Sequence, residues 1–348
     1  MNLTVINTLG SVQRPVKIWT STDGSKAVVL PYGGRVLELL APNSIKNFFW
    51  THPIFDSLIT ADGFGQNEEW INSGGDRTWL APEVDLFFPN FPELDPYVVP
   101  PEIDPGDYQI SDDGGIIRLV SRVSLRLVRT RRRVDLFIDK HLAPALNPLQ
   151  YVDSALSSEL GYAGYTLRTR LAFANKEKKT GAVGLWNVLQ LPHGGELLIP
   201  TLSKPPIQMF GKEIDAGDLC VTEHLIRYKM QAPGLQKFGI QAAAAVGRVG
   251  YMYSAESETR LVIRNFFVNP SGEYVDVPWA QPDQMGSVIQ ACNVHNKLGQ
   301  YSELEYHAPA IGGIGGRCSY EDESQVWAFS GDKERILVAA RILISPEV

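Results

Sequence analysis

The stretch Tyr301-Ser302-Glu303-Leu304-Glu305-Tyr306-His307-Ala308-Pro309 decides how this chain is read. As a β-strand, its period of two places Tyr301, Glu303, Glu305 and His307 on one face, with Ser302, Leu304 and Tyr306 on the other. Two carboxylates and an imidazole then share one short stripe, closed by Ala-Pro. Side chains two apart on a strand lie about 7 Å apart, close enough to shift one another's protonation where water is partly excluded. The solvated face of an ordinary antiparallel strand carries the same residue types, so the stretch alone fits either reading.

Working outward, strand signals dominate. They recur at Ala27–Tyr32, Arg35–Leu40, Val134–Lys140, Tyr165–Phe173, Gly239–Val246, Arg260–Phe267 and Ile336–Ile344. In Ile116–Val128, Leu119, Ser121, Val123, Leu125 and Leu127 alternate with Arg118, Arg122 and Arg126, the pattern of a half-buried strand. Stretches with a helical period are short and few, and Asp322–Phe329 is the foremost of them, good for a turn or two. No strand–helix–strand alternation occurs, which predicts an all-β, antiparallel architecture. Pro89–Pro105 is too proline-dense for a central strand and predicts a long loop. No Ser/Gly linker or composition break divides the chain, so residues 1–348 are expected to form a single β domain.

The composition fits a folded globular protein: 348 residues, 44% hydrophobic and 20% charged. A formal charge of −7 argues against a nucleic-acid or anionic-membrane partner. Cys220, Cys292 and Cys318 form no CxxC pair, which argues against a zinc knuckle or disulfide framework and fits a reducing compartment. With no signal-peptide pattern and no apolar run of membrane-spanning length, the expectation is cytoplasmic. Oligomeric state is not legible.

Three further constellations bear on chemistry. In Trp70-Ile-Asn-Ser-Gly-Gly-Asp-Arg-Thr-Trp79, two glycines turn the backbone and present Asp76 and Arg77 between two indoles. Aromatic faces suit the C–H surface of a sugar, and Asp and Arg suit its hydroxyls. A local ion pair beside core tryptophans is the competing interpretation. In Gly184–Gly195, Trp186, Val188 and Gln190 alternate along a strand that ends in Pro192-His193-Gly-Gly. An imidazole there could serve as a general acid near neutral pH. Arg129 and Arg131–Arg133 read as a hairpin of solvated arginines. The acidic runs at Asp112-Asp113 and Glu321–Glu323 lack EF-hand spacing, so no metal and no cofactor is predicted. No GxSxG, GxxxxGK[ST], HExxH or strand-linked GxGxxG pattern occurs, and Gly312–Gly316 reads as a turn.

Three segments together resemble the galactose-mutarotase-like (aldose 1-epimerase) superfamily, in an uncharacterised, divergent branch. Tyr32-Gly-Gly-Arg-Val-Leu-Glu-Leu-Leu-Ala-Pro-Asn43 is similar to its opening hairpin strand. Asn72-Ser-Gly-Gly-Asp-Arg-Thr-Trp-Leu-Ala-Pro82 resembles the Gly-Gly turn of its hexose-phosphate epimerase branch. Leu304-Glu-Tyr-His-Ala-Pro309 is similar to the C-terminal strand that carries the catalytic Glu, one residue shorter before the proline. The resemblance implies a large antiparallel β-supersandwich that acts on sugars. It also implies Glu305 as general base on the C1 hydroxyl, His193 as general acid on the ring oxygen, and Arg77 as a substrate clamp. Asp76, Trp79, Trp70, Trp186, His307 and Glu303 complete the expected sugar-binding set.

The chain departs from the family in two places. The acidic His lacks the family's Asn-His-x-Tyr-Phe-Asn context, and no His occurs between His52 and His141, where family members carry a second one. Two rivals stand beside epimerase chemistry on a small sugar. One is a non-catalytic carbohydrate-binding protein. The other is a hydrolase or lyase on an oligosaccharide, with Glu303 or Asp76 as second carboxylate.

Overall fold

The computed structural model describes residues 3–57, 70–175 and 181–348. Two antiparallel sheets dominate. The first has nine strands in the order Lys17–Thr20, Lys26–Leu30, Arg35–Leu40, Asp76–Ala81, Gly184–Pro192, Gly299–His307, Ile289–Asn296, Gly234–Ile240 and Gln208–Met209. The second has ten, with Arg248–Ala255, Glu258–Phe266, Ser319–Gly331, Gly161–Phe173 and Arg133–Pro144 at its centre. The all-β, antiparallel expectation holds, and the architecture is the galactose-mutarotase-like supersandwich.

Strand parity assigns the faces. Leu304 and Tyr306 pack with Leu189, Leu191, Tyr165, Val262 and Ala328 in the main core between the sheets. Glu303, Glu305 and His307 therefore project from the outer face of the nine-stranded sheet. Register carries this sideways. Glu303 pairs with Gln190 and Cys292, Glu305 with Val188 and Gln290, and His307 with Trp186. Arg77 and Trp79 pair with Val188 and Trp186, and Lys237 with Cys292, so all share the outer face.

Between the sheets, polar groups are tied across the core. Asp76 meets the Arg264 guanidinium and the Tyr165 hydroxyl, and all three side chains are fully or almost fully buried. Tyr306 Oη donates to Asp322 Oδ2 (2.5 Å), and Tyr251 Oη to Ser302 Oγ (2.9 Å). Asp76 thus faces the interior, away from the outer face that the sequence assigned it. Arg77, the next residue along, must point the other way.

Three segments differ from their sequence-based assignment. The strand expected over Gly239–Val246 ends at Ile240, and Ala242–Ala244 forms a 3-10 turn, since an alanine run supplies neither the branched side chains nor the alternation that hold a strand. Asp322–Phe329 is strand, within Ser319–Gly331. Val326 and Ala328 enter the main core, while Trp327 and Phe329 pack under a helix, so both faces are apolar and the alternation is hidden. Ile336–Ile344 lies not in a strand but in the helix Lys333–Leu343, which buries Ile336, Ala339, Ala340 and Leu343 at helical spacing. The Asp332 carboxylate caps its first turn by accepting from Glu334 N–H (2.9 Å). A short apolar run does not by itself separate helix from strand. The Pro89–Pro105 segment is a loop, as expected. Among the described residues no helix is long and apolar enough to cross a membrane.

Two measurements check this interior. Asp76→Ala leaves Arg264 buried without its carboxylate and should cost about 3–5 kcal/mol in denaturant-unfolding stability. Burial pushes the Asp322 carboxyl up to about 6, more than its hydrogen bond from Tyr306 lowers it. A carboxyl raised in the folded state stabilises most below its unfolded value, and that contribution is lost as pH rises through about 6. Asp322→Asn should therefore flatten the stability curve between the ordinary aspartate value and about pH 6, removing a change of about 3 kcal/mol.

Candidate active site

The turn that delivers Arg77 is built from glycine. Gly74 and Gly75 have φ of +89° and +77°. A Cβ on Gly74 would lie 2.4 Å from the Trp50 carbonyl oxygen, and one on Gly75 would lie 2.3 Å from that of Val36. Only glycine permits both the left-handed backbone and the close approach. The chain then enters Asp76–Ala81 with Arg77 and Trp79 on the outer face, and the Arg77 guanidinium lies 4.1 Å from the Trp79 ring centroid.

Over this face lies a cavity of about 520 Å³, within the range of small-molecule sites. Trp70, Trp79, Trp186, Trp279 and Tyr97 give it aromatic walls, and Arg77, Glu303, Lys237, Glu83 and Cys292 give it a polar floor. The loop after Phe88 adds Asp95 and Tyr97 to the lining, and the turn at Lys297 and Leu298 adds both of its residues. Trp79 stacks edge-on to Trp186 with centroids 5.3 Å apart.

The floor is an ordered charge array. Glu303 Oε1 accepts from Arg77 Nη2 (3.0 Å) and Gln190 Nε2 (2.8 Å). Its other oxygen accepts no hydrogen bond among the described residues. Lys237 Nζ lies 3.2 Å from Glu83 Oε2 and 3.3 Å from Glu305 Oε2, and 4.4 Å from the Trp186 centroid. Trp186 Nε1 donates to Glu305 Oε2 (2.6 Å) and Trp279 Nε1 to Glu83 Oε2 (2.7 Å).

Protonation follows from burial and these pairings. Burial alone would lower the Lys237 ammonium, but the facing Glu305 and Glu83 carboxylates outweigh it and hold the ammonium above the ordinary lysine value. Burial pushes Glu305 up to about 8 against the pull of Lys237, with Glu303 and Glu83 adding to the rise. Burial likewise raises Glu83 and the Cys292 thiol. His307 is driven well below the ordinary histidine value by burial and by Lys237.

The structure brings together most of the residues singled out from sequence. Arg77, Trp79, Trp70, Trp186 and Glu303 line the cavity. Glu305 lies beneath it, fully buried under Lys237 and Trp186, so of the two carboxylates on this strand Glu303 is the one that lines the cavity. His307 is also buried, stacked behind Trp186 with centroids 5.8 Å apart and Nε2 3.9 Å from Asp276, and it does not line the cavity. Asp76 faces the inter-sheet core and cannot act as a second carboxylate here.

His193 is not at the site. It follows Pro192, which pairs with Tyr301, and stands five residues along the strand from Val188, the partner of Glu305. That separation is about 17 Å. Its ring packs against His295, centroids 4.9 Å apart, and it is held beside Asn293 and the Ala232 carbonyl. Asn293 and His295 have the strand parity opposite to Cys292 and Val294. The turn carries His193 off the outer face, so the expected Glu–His pair is not formed.

Sequence reading missed Lys237, Glu83, Trp279, Tyr97 and Cys292. The usable signal was Gly234–Ile240, where Leu235 and Lys237 alternate with Gln236 and Phe238. A lysine on a strand face is commonplace until the carboxylates opposite it are known.

The family model described as "Family of unknown function (DUF6786)" matches residues 4–344. No curated protein matches the sequence significantly. Among solved structures, an Escherichia coli K12 protein provisionally assigned as an aldose 1-epimerase is similar, with 10% identity and a TM-score of 0.51. That alignment covers 90% of this chain and 99% of the other. A Klebsiella pneumoniae protein with the same provisional assignment has 12% identity, coverage of 95% and 84%, and a TM-score of 0.50. A galactose mutarotase related enzyme from Lactobacillus acidophilus has 9% identity, coverage of 91% and 98%, and a TM-score of 0.50. At these identities the likeness shows the fold.

Lys237→Met should strand Glu83 and Glu305 beside a neutral side chain. Denaturant unfolding should then report a loss of about 3–5 kcal/mol.

Proposed function

Since the chain belongs to the family of unknown function DUF6786, we propose its function from the cavity itself: it binds an aldose and interconverts the sugar's anomers. One observation carries this reading. A cavity of monosaccharide scale combines indole walls with a floor bearing both a half-free carboxylate, Glu303, and a buried ammonium, Lys237. Indole faces accept the C–H surface of a pyranose, and the charged floor accepts its hydroxyls. The shared supersandwich fold is consistent with this and adds no residue roles.

In this scheme Glu303 takes the proton of the anomeric hydroxyl through its unoccupied oxygen, while Arg77 and Gln190 fix its other oxygen. As the C1 carbonyl forms, the bond from C1 to the ring oxygen breaks. Lys237 stabilises the negative charge on the departing oxygen and supplies its proton. Rotation about C1–C2 and closure from the other face return both protons. Lys237 takes the place that the sequence gave to His193. A small-molecule sugar is thus the expected partner.

The second reading is sugar binding without turnover. It is favoured by the position of His193, which leaves no imidazole among the described residues that line the cavity. One experiment separates the two. Anomer exchange of D-glucose, D-galactose, D-mannose and their 6-phosphates is followed by NMR, with binding measured by calorimetry. The epimerase reading predicts accelerated exchange of at least one sugar, and a roughly hundredfold or greater loss in Glu303→Gln with binding retained. Binding with no acceleration selects the second reading, and an absence of binding across the panel sinks both.

A further inference from the structure

The cavity floor holds one grouping that proton transfer does not use. Cys292 Sγ and a carboxylate oxygen from each of Glu303 and Glu305 all lie within 4.8 Å of one another, and all three residues are buried. Register creates the cluster. Cys292 and Glu303 are direct partners on neighbouring strands, and Glu305 is the next residue on the same face. A thiolate with two carboxylates is a donor set for a borderline-soft divalent cation such as zinc.

A second feature points the same way. Glu305 Oε1 is fully buried and accepts no hydrogen bond among the described residues, although its partner oxygen is taken by Trp186 and Lys237. A buried acceptor with no partner is costly and calls for a donor or a cation.

We propose that Cys292, Glu303 and Glu305 form a three-ligand site for a zinc-class divalent cation, open on its fourth side to the cavity. Cys292 and Glu303 line that cavity, so the fourth position belongs to water or to a hydroxyl of a bound molecule. Arg77 and Gln190, both bonded to Glu303, orient that ligand from behind. Metal binding displaces the thiol proton, and a ligated Glu303 is a poorer proton acceptor. The metal-bound and proton-transferring states are therefore alternatives of one floor. Only this last point rests on the sugar reading.

The test uses the whole chain, stripped with chelator, titrated with Co²⁺ and then Zn²⁺ in the absence of sugar. Expected are one Co²⁺ per chain, a near-ultraviolet thiolate-to-cobalt charge-transfer band, and its stoichiometric loss on adding Zn²⁺. Cys292→Ser should abolish the band, and Glu305→Gln should weaken Co²⁺ binding by roughly tenfold or more. Circular dichroism establishes that each variant is folded, and either variant suffices if the other is not. No binding, a spectrum without the thiolate band, or a band and affinity unchanged in both variants would overturn the site. None of these outcomes depends on whether the cavity takes a sugar.

Discussion

Burying charge on a sheet face is permitted only when each charge meets its opposite, and this constraint shapes the whole outer face of the nine-stranded sheet. Arg77 answers Glu303, and Lys237 answers Glu83 and Glu305. These partners come from three strands and a short helix, and they meet only in one register. A slip of one residue would turn Glu303 and Glu305 into the apolar core and bring Leu304 and Tyr306 outward. The inner face obeys the same rule, with Asp76 answered by Arg264 across the sandwich. Ion pairs of this kind contribute little net stability, but removing one partner is expensive, so they hold the register against alternatives.

That arrangement also prepares a site. Arg77, Glu83, Lys237 and Glu303 are all buried, and electrostatic interactions strengthen as charges leave water. Lys237 is held positive by the carboxylates behind it, while Glu303 keeps one oxygen without a hydrogen-bond partner among the described residues. A fixed cation and a fixed acceptor in one cavity are preorganised for a polar ligand with an apolar face. The charge array that secures the sheet and the array offered to a ligand are the same residues.

Much of this was legible from period-two alternation. The Tyr301–His307 stripe, the Gly-Gly turn before Arg77 and the Trp186 strand each announced the face they would occupy, and Arg77, Trp79, Trp186 and Glu303 do converge. The same alternation also separated Asp76 from Arg77, although a pair that looks local in sequence hid the fact that its members point apart. Strand parity does not say which carboxylate reaches the surface, and there Glu303 replaced Glu305. His193 misled because a turn breaks parity, so its sequence neighbours do not fix its face. Lys237 and Glu83 were invisible because their meaning lies in partners more than sixty residues away. The Lys333–Leu343 helix and the Asp322–Phe329 strand exchanged roles where apolar residues cover both faces and the period is lost.

The central claim is that the floor formed by Arg77, Glu303 and Lys237 beneath the indole walls is where a sugar is held. The most direct measurement is a crystal structure of the protein soaked with an aldose that calorimetry shows to bind. The account predicts a pyranose ring lying against Trp79, Trp186 or Trp279, with one hydroxyl within hydrogen-bond distance of Glu303 and an oxygen facing Lys237. Density for the sugar elsewhere, with this cavity filled only by solvent, would contradict it.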